Sequence, residues 1–169
     1  DRASILASAS NGADWILITH RSLGWEGAGA EQGWVTALAG LRQSQGLRTR
    51  VVDIEEVFDE FGYGLPAPQA VKDFLTYAYE SWQSPAPQYV LLVGDTSYDY
   101  KDNWNSGTVN LLPGYLIYTT HLGETISDEW LVQVSGEDAV GDLHIGRLPA
   151  ATLAQAQAMA AKIVSYETA

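Results

Sequence analysis

An α/β domain with a mainly parallel sheet between helices is what three observations in these 169 residues predict. The run Tyr89-Val90-Leu91-Leu92-Val93 is apolar without a break and stops at Gly94-Asp95. A central parallel strand, buried on both faces, reads this way. Two further short apolar runs precede it, and a segment of helical spacing separates each run from the next. A β-α-β-α-β order calls for parallel strands joined by crossovers, which are almost always right-handed. The expected architecture is a three-layer Rossmann-like domain over residues 1–169, with a β-hairpin near its C-terminal end.

The elements follow in order. Trp15-Ile16-Leu17-Ile18-Thr19 is a short buried strand. After a Gly-rich loop, Trp34, Val35, Leu38 and Leu41 recur at helical spacing, with Gly46 as the stop signal. Residues 48–53, with Val51 and Val52, make a second strand, and 54–61 a short helical turn before Gly62, Gly64 and Pro66. From Pro68, the positions Val71, Phe74, Leu75, Ala78, Tyr79 and Trp82 predict a helix with proline in its first turn. Ser84-Pro85-Ala86-Pro87 ends it and leads to the strand at Tyr89. Residues 96–112 read as a long polar loop, and 115–120 as a strand. Residues 129–135 and 142–147 read as two antiparallel strands joined by 136–141. Thr152 with Gln155 makes a capping box for a last helix that buries Leu153, Ala156, Ala160, Ile163 and Val164.

Composition narrows the function. The length fits one domain that buries about 70% of its unfolded surface, and 46% hydrophobic content argues against disorder. No apolar run reaches the length of a membrane span. Nine basic against twenty-one acidic side chains give a net charge of −12, which excludes nucleic-acid phosphate binding as a main function. With no cysteine there is no disulfide, no thiolate zinc site and no cysteine nucleophile.

Gly27-Ala28-Gly29 with Gly33, and Asp53 at the end of the second strand, superficially match a dinucleotide fingerprint. The last glycine is one residue late and the loop leaves the strand well before Gly27, so a flexible loop explains it better. His20, His121 and His144 are scattered, with no G-x-S-x-G nucleophile turn and no zinc spacing. Tyr98, Tyr100 and Trp104 fall in the polar loop, where burial is hard to arrange; contact with a neighbouring domain is one reading of them. Asp138 and Asp142, flanked by Gly136 and Gly141, offer oxygen donors in a flexible loop of the kind calcium takes, although the spacing is not that of an EF-hand. A solvated acidic loop is the alternative.

Val90-Leu91-Leu92-Val93-Gly94-Asp95, then Ser127-Asp128-Glu129-Trp130, then Ile145-Gly146-Arg147-Leu148-Pro149 occur in an order that resembles the gingipain-like (C25) family of cysteine peptidases. The resemblance extends to Gln45-Gly46-Leu47-Arg48-Thr49 and to the helix from Pro66 to Tyr79, and so covers almost the whole chain. It is to the first, non-catalytic subdomain of that family's catalytic unit. The resemblance implies a scaffold whose partner is the catalytic second subdomain of the same polypeptide, expected to begin about where this chain ends. That partner would supply a histidine in a Gly-His-Gly context, the cysteine and the contacts to peptide or protein substrates. None of the three histidines here has that context. The resemblance further implies secretion or a cell-surface location. It also implies a structural calcium ion held by the side chains of Asp95, Asp138 and Asp142 and the carbonyls of Ser135 and Val140. Two other readings stand beside it: a free-standing α/β module binding a nucleotide or a protein, and a degenerate family member acting in secretion or assembly.

Overall fold

Five consecutive buried side chains in β1 (Trp15–Thr19) mark the middle of the sheet, as the unbroken apolar run demands. The computed structural model describes residues 5–27, 29–99, 102–108 and 110–169. After β1 come α1 (Arg21–Gly24), the short ribbon strands β2 (Trp25–Glu26) and β3 (Ala30–Glu31), and α2 (Gly33–Ser44). Next are β4 (Thr49–Asp53), α3 (Ile54–Phe61), α4 (Pro68–Ser81) and β5 (Tyr89–Val93). The C-terminal part holds β6 (Tyr115–Thr119), β7 (Gly123–Ser127), a 3₁₀ turn (Glu129–Val132), β8 (His144–Leu148) and α5 (Leu153–Glu167).

The main sheet has the order β4-β1-β5-β8 and every pairing in it is parallel. Leu17 of β1 lies between Val51 and Leu91, and Leu91 in turn faces Gly146. Alternation of side chains across the pleat then divides the core in two. Ile16, Ile18, Val52, Val90 and Leu92 pack with α3, α4 and the 3₁₀ turn through Val57, Phe74, Leu75 and Leu131. Trp15, Leu17 and Val93 pack with α2 and α5 through Trp34, Val35, Leu38, Ala156 and Ala160. This is the expected three-layer α/β arrangement. The order in which strands are added reverses between β1 and β5, so the crevice of this sheet lies at the carboxyl ends of those strands.

Local chemistry sets the helix ends. At the end of α2 the Gly46 N–H reaches Gln43 O at 2.9 Å and the Leu47 N–H reaches Arg42 O at 3.2 Å. Gly46 takes φ +87°, the left-handed conformation this closure requires. Pro68 opens α4, and the Thr152–Gln155 capping box opens α5 as the spacing predicts.

One expectation is corrected. Residues 129–135 and 142–147 do not pair as antiparallel strands. Leu131 and Val132 are adjacent and both fully buried, which strand alternation against a one-sided core cannot provide; a single 3₁₀ turn can. Freed from that partner, β8 joins β5 in parallel. The hairpin of the C-terminal half lies one step earlier in the chain, between β6 and β7.

Candidate functional site

The three motifs that carry the family resemblance meet at one arginine. Arg147, from β8, forks onto Asp128: Nε donates to Oδ2 at 2.8 Å and Nη2 to Oδ1 at 2.7 Å. Its remaining Nη1 donates to the carbonyls of Gly94 at 3.0 Å and Leu112 at 3.1 Å. The Arg147 side chain is only 10% exposed, so its charge depends on these four acceptors. The rest of Ser127-Asp128-Glu129-Trp130 is equally engaged. Glu129 Oε1 accepts the Gly141 N–H at 3.0 Å. Trp130 stacks on Tyr115 with centroids 3.7 Å apart, and Lys72 Nζ sits 4.2 Å from the Trp130 ring centroid. Sequence reasoning picked out these motifs but assigned no role to Asp128, Arg147 or Trp130. The lone arginine among the apolar residues of Ile145-Gly146-Arg147-Leu148-Pro149 was the available signal that this side chain has a partner, and nothing local said which.

The five proposed calcium donors come from the end of β5 and from residues 135–142. Asp95 sits at the carboxyl end of β5, where its Oδ1 accepts the Thr96 N–H at 2.9 Å. Its backbone closes the long loop: the Asp95 N–H donates to Ala150 O, and its carbonyl accepts from Leu111 and Leu112. Asp142 and Ser135 are brought together, since Asp142 Oδ2 takes the N–H of Val134 at 2.9 Å and of Ser135 at 2.8 Å. Asp138 and Val140 also meet, through the Val140 N–H on Asp138 Oδ1 at 3.1 Å. One oxygen of each carboxylate is therefore engaged with backbone. Among the described residues no three His, Asp or Glu side chains gather so as to hold a metal ion.

Among the described residues, β1 does not turn directly into α2 as a dinucleotide fingerprint requires. Residues 20–32, including α1 and the β2–β3 ribbon, separate β1 from α2, and Gln32 at the start of α2 makes no side-chain cap. In a working site the strand turns directly into the helix. Ala28 lies outside the described residues. His20 acts locally, its Nδ1 accepting the Ser22 N–H at 3.1 Å to cap α1, while Nε2 lies 3.5 Å from Glu55. Beside it Arg21 pairs with Asp53 at 2.9 Å. His144 stacks on Tyr89, and His121 is exposed in the turn between β6 and β7.

In the long loop Tyr98 and Trp104 meet edge to face at 5.3 Å and both stay exposed; Tyr100 lies outside the described residues. Asp99 secures them, and the Trp104 N–H, with Asn103, holds its carboxyl below the usual range. Two ion pairs brace the opposite parts of the molecule. Asp14, held low by hydrogen bonds from the Arg48 side chain, ties β1 to β4. Glu167, held low by Arg42 and then Gln45, ties α5 to α2.

Comparison with known proteins agrees with this geometry. The model of peptidase family C25 matches residues 8–169, and the chain belongs to that family. Among solved structures, the fold is similar to dimeric latent PorU from Porphyromonas gingivalis, with a TM-score of 0.70 and 23% identity over 94% of this chain. It is also similar to the Arg-specific cysteine proteinase gingipain R (RgpB), with a TM-score of 0.62 and 22% identity over 92% of this chain. The complex of Porphyromonas gingivalis RgpB pro- and mature domains gives 0.63 and 20% over 90%. This chain spans 16% of the PorU chain and 28% of each RgpB chain. No curated protein sequence matches it. Among the described residues no helix is long and apolar enough to cross a membrane.

Proposed function

We propose that the chain is the scaffold subdomain of a gingipain-like cysteine endopeptidase, with the catalytic cysteine and histidine in another part of a longer polypeptide. The observation that carries this reading is a C25 match over residues 8–169 in a sequence without cysteine. A thiolate nucleophile cannot be supplied from within the matched region. Its most family-like residues support the same reading, because Arg147, Asp128 and Gly94 are engaged with one another inside the fold. Peptide or protein substrates would then be bound and cleaved by the second subdomain, and the whole would be secreted or held at the cell surface.

Calcium binding by Asp95, Asp138 and Asp142, with the carbonyls of Ser135 and Val140, is proposed as a separate property. The scaffold role does not depend on it.

The test compares this chain with the longer polypeptide on fluorogenic peptides, including those with Arg or Lys at the cleavage position. The expected result is no turnover by this chain and iodoacetamide-sensitive turnover by the longer one. Turnover by the pure chain alone, or none by the reduced longer polypeptide, overturns the reading.

A further inference from the structure

β8 is an edge strand with few of the devices that usually protect one. Its five residues, His144-Ile145-Gly146-Arg147-Leu148, contain no proline and no lysine, and the inward-turned charge of Arg147 on Asp128 is the one guard its own side chains supply, leaving the backbone row itself uncovered among the described residues. The bonds to β5 show which backbone groups remain open. The His144 N–H donates to Gln88 O at 2.8 Å, and Leu148 O accepts from the Gly94 N–H at 3.0 Å. In a parallel pair the residues that bond a given neighbour alternate, so His144, Gly146 and Leu148 serve β5. The N–H and C=O groups of Ile145 and Arg147 point the other way, and among the described residues their N–H groups have no acceptor.

The face beside this edge is bare as well. His144 and Gly146 are exposed, and a Cβ built on Gly146 would meet nothing within 4 Å. At the opposite edge of the sheet no residue of β4 is exposed. A row of extended backbone donors and acceptors beside an open glycine fits one kind of occupant, another strand.

We infer that the β8 edge receives an added β-strand from the longer polypeptide, bonded to the backbone of Ile145 and Arg147. This rests on the scaffold reading above, and specifies how the scaffold holds its partner. Two observations favour that source over a second copy of the chain. The chain spans only 16% and 28% of the PorU and RgpB chains that share its fold, so most of such a polypeptide lies outside this domain. A net charge of −12 also opposes pairing of two copies along an unscreened edge.

Amide hydrogen exchange tests this. In this chain alone the Ile145 and Arg147 amides are expected to exchange as open amides, while Gly146, bonded to β5, is protected. In the longer polypeptide both should slow by about 100-fold or more, the protection of a hydrogen-bonded strand. Ile145→Pro provides the second measurement, since the one backbone donor it removes is an outward N–H, edge strands tolerate proline there, and the ring keeps part of the apolar contact that Ile145 makes with the core. It should leave this chain folded but abolish the added protection at Arg147 in the longer polypeptide. Equal exchange at Ile145 and Arg147 in the two proteins overturns the inference. So does protection in this chain that grows with its concentration, which would mark a second copy as the occupant. Protection at Arg147 that survives Ile145→Pro overturns it too, because cover by something other than a paired strand would then be responsible. Peptidase activity is read separately, so a longer polypeptide that protects the edge yet cleaves nothing removes the scaffold-of-an-enzyme reading and leaves the strand addition standing.

Discussion

Arg147 and Asp128, nineteen positions apart, form a two-bond ion pair of 2.7 and 2.8 Å beneath the carboxyl edge of the sheet. The pair joins β8 to the start of the 3₁₀ turn, and the spare Arg147 nitrogen bonds the carbonyls that end β5 and the long loop. Removing one partner leaves the other charge poorly solvated, which costs roughly 3–5 kcal/mol when burial is deep. Asp128 is 22% exposed, so the lower end applies. Arg147→Ala should cost about 3 kcal/mol, or about 6–12 °C in Tm for a domain of this size. Arg147→Lys should recover little, because an ammonium cannot fork. Thermal melts of both variants and of Asp128→Asn check this. An Arg147→Ala melt that matches the parent would refute the lock.

Acid should weaken the fold through Asp14 and Glu167. Both carboxyls are held below their ordinary values, Asp14 by Arg48 and Glu167 by Arg42. A group depressed in the folded state stabilises fully above its unfolded value and loses that contribution as pH falls through the folded one. Stability should therefore hold from neutral pH to about pH 5 and decline progressively below about pH 4. The partner arginines are raised, but they titrate beyond the working range. Urea unfolding from pH 7 to 3 measures the slope. Arg48→Ala should lower stability at pH 7 by about 1–2 kcal/mol and flatten the acid limb. An unchanged limb in that variant removes Asp14 as its source.

Calcium offers a third measurement. If Asp95, Asp138 and Asp142 close on an ion, calcium at a hundredfold excess over its Kd stabilises the domain by about 2.7 kcal/mol. Asp138→Asn should shrink that shift. Asp102→Asn should leave it intact, since Asp102 only secures its own loop by accepting from Ser106 at 2.7 Å. Magnesium should substitute poorly because it demands a tighter octahedron. Melting curves that coincide in EGTA and in calcium end the proposal.

Nicotinamide cofactors should not bind. The chain between β1 and α2 makes a separate helix and ribbon before α2 begins, so no strand delivers a pyrophosphate to that helix. Calorimetric titration with NAD should give no saturable heat. Saturable heat abolished by Gly29→Val would restore the dinucleotide reading.

Where the sequence was legible, one physical rule dominated. Trp15–Thr19 has no solvent side, Val90–Val93 is buried or half-buried, and Val71, Phe74, Leu75 and Ala78 repeat at the pitch of a helix, so their structures follow from burial alone. The segment after Ser127 misled because Trp130, Val132 and Val134 alternate as a strand would. What decides it is Leu131, also fully buried, together with Asp142, which takes the N–H groups of Val134 and Ser135. That capping spans seven or eight residues and is invisible to local periodicity. The candidate site was legible only as motifs: nothing within Ser-Asp-Glu-Trp indicates that its aspartate meets Arg147. Such a partnership depends on β8 choosing β5, a long-range event that no local pattern encodes.

The backbone of Asp95 gives the molecule a place where it can change cheaply. Because the Asp95 carbonyl receives the N–H groups of both Leu111 and Leu112, the chain leaves the sheet and returns to it at a single residue. The segment between is thus closed at its base by the bonds of Leu111 and Leu112 to Asp95, and the pairing of the strands does not involve it. Doubling such a loop adds only about 0.6 kcal/mol of closure entropy. A foreign recognition sequence inserted there would be carried at the rim of the crevice by an undisturbed sheet, and variation among relatives has the same freedom to accumulate.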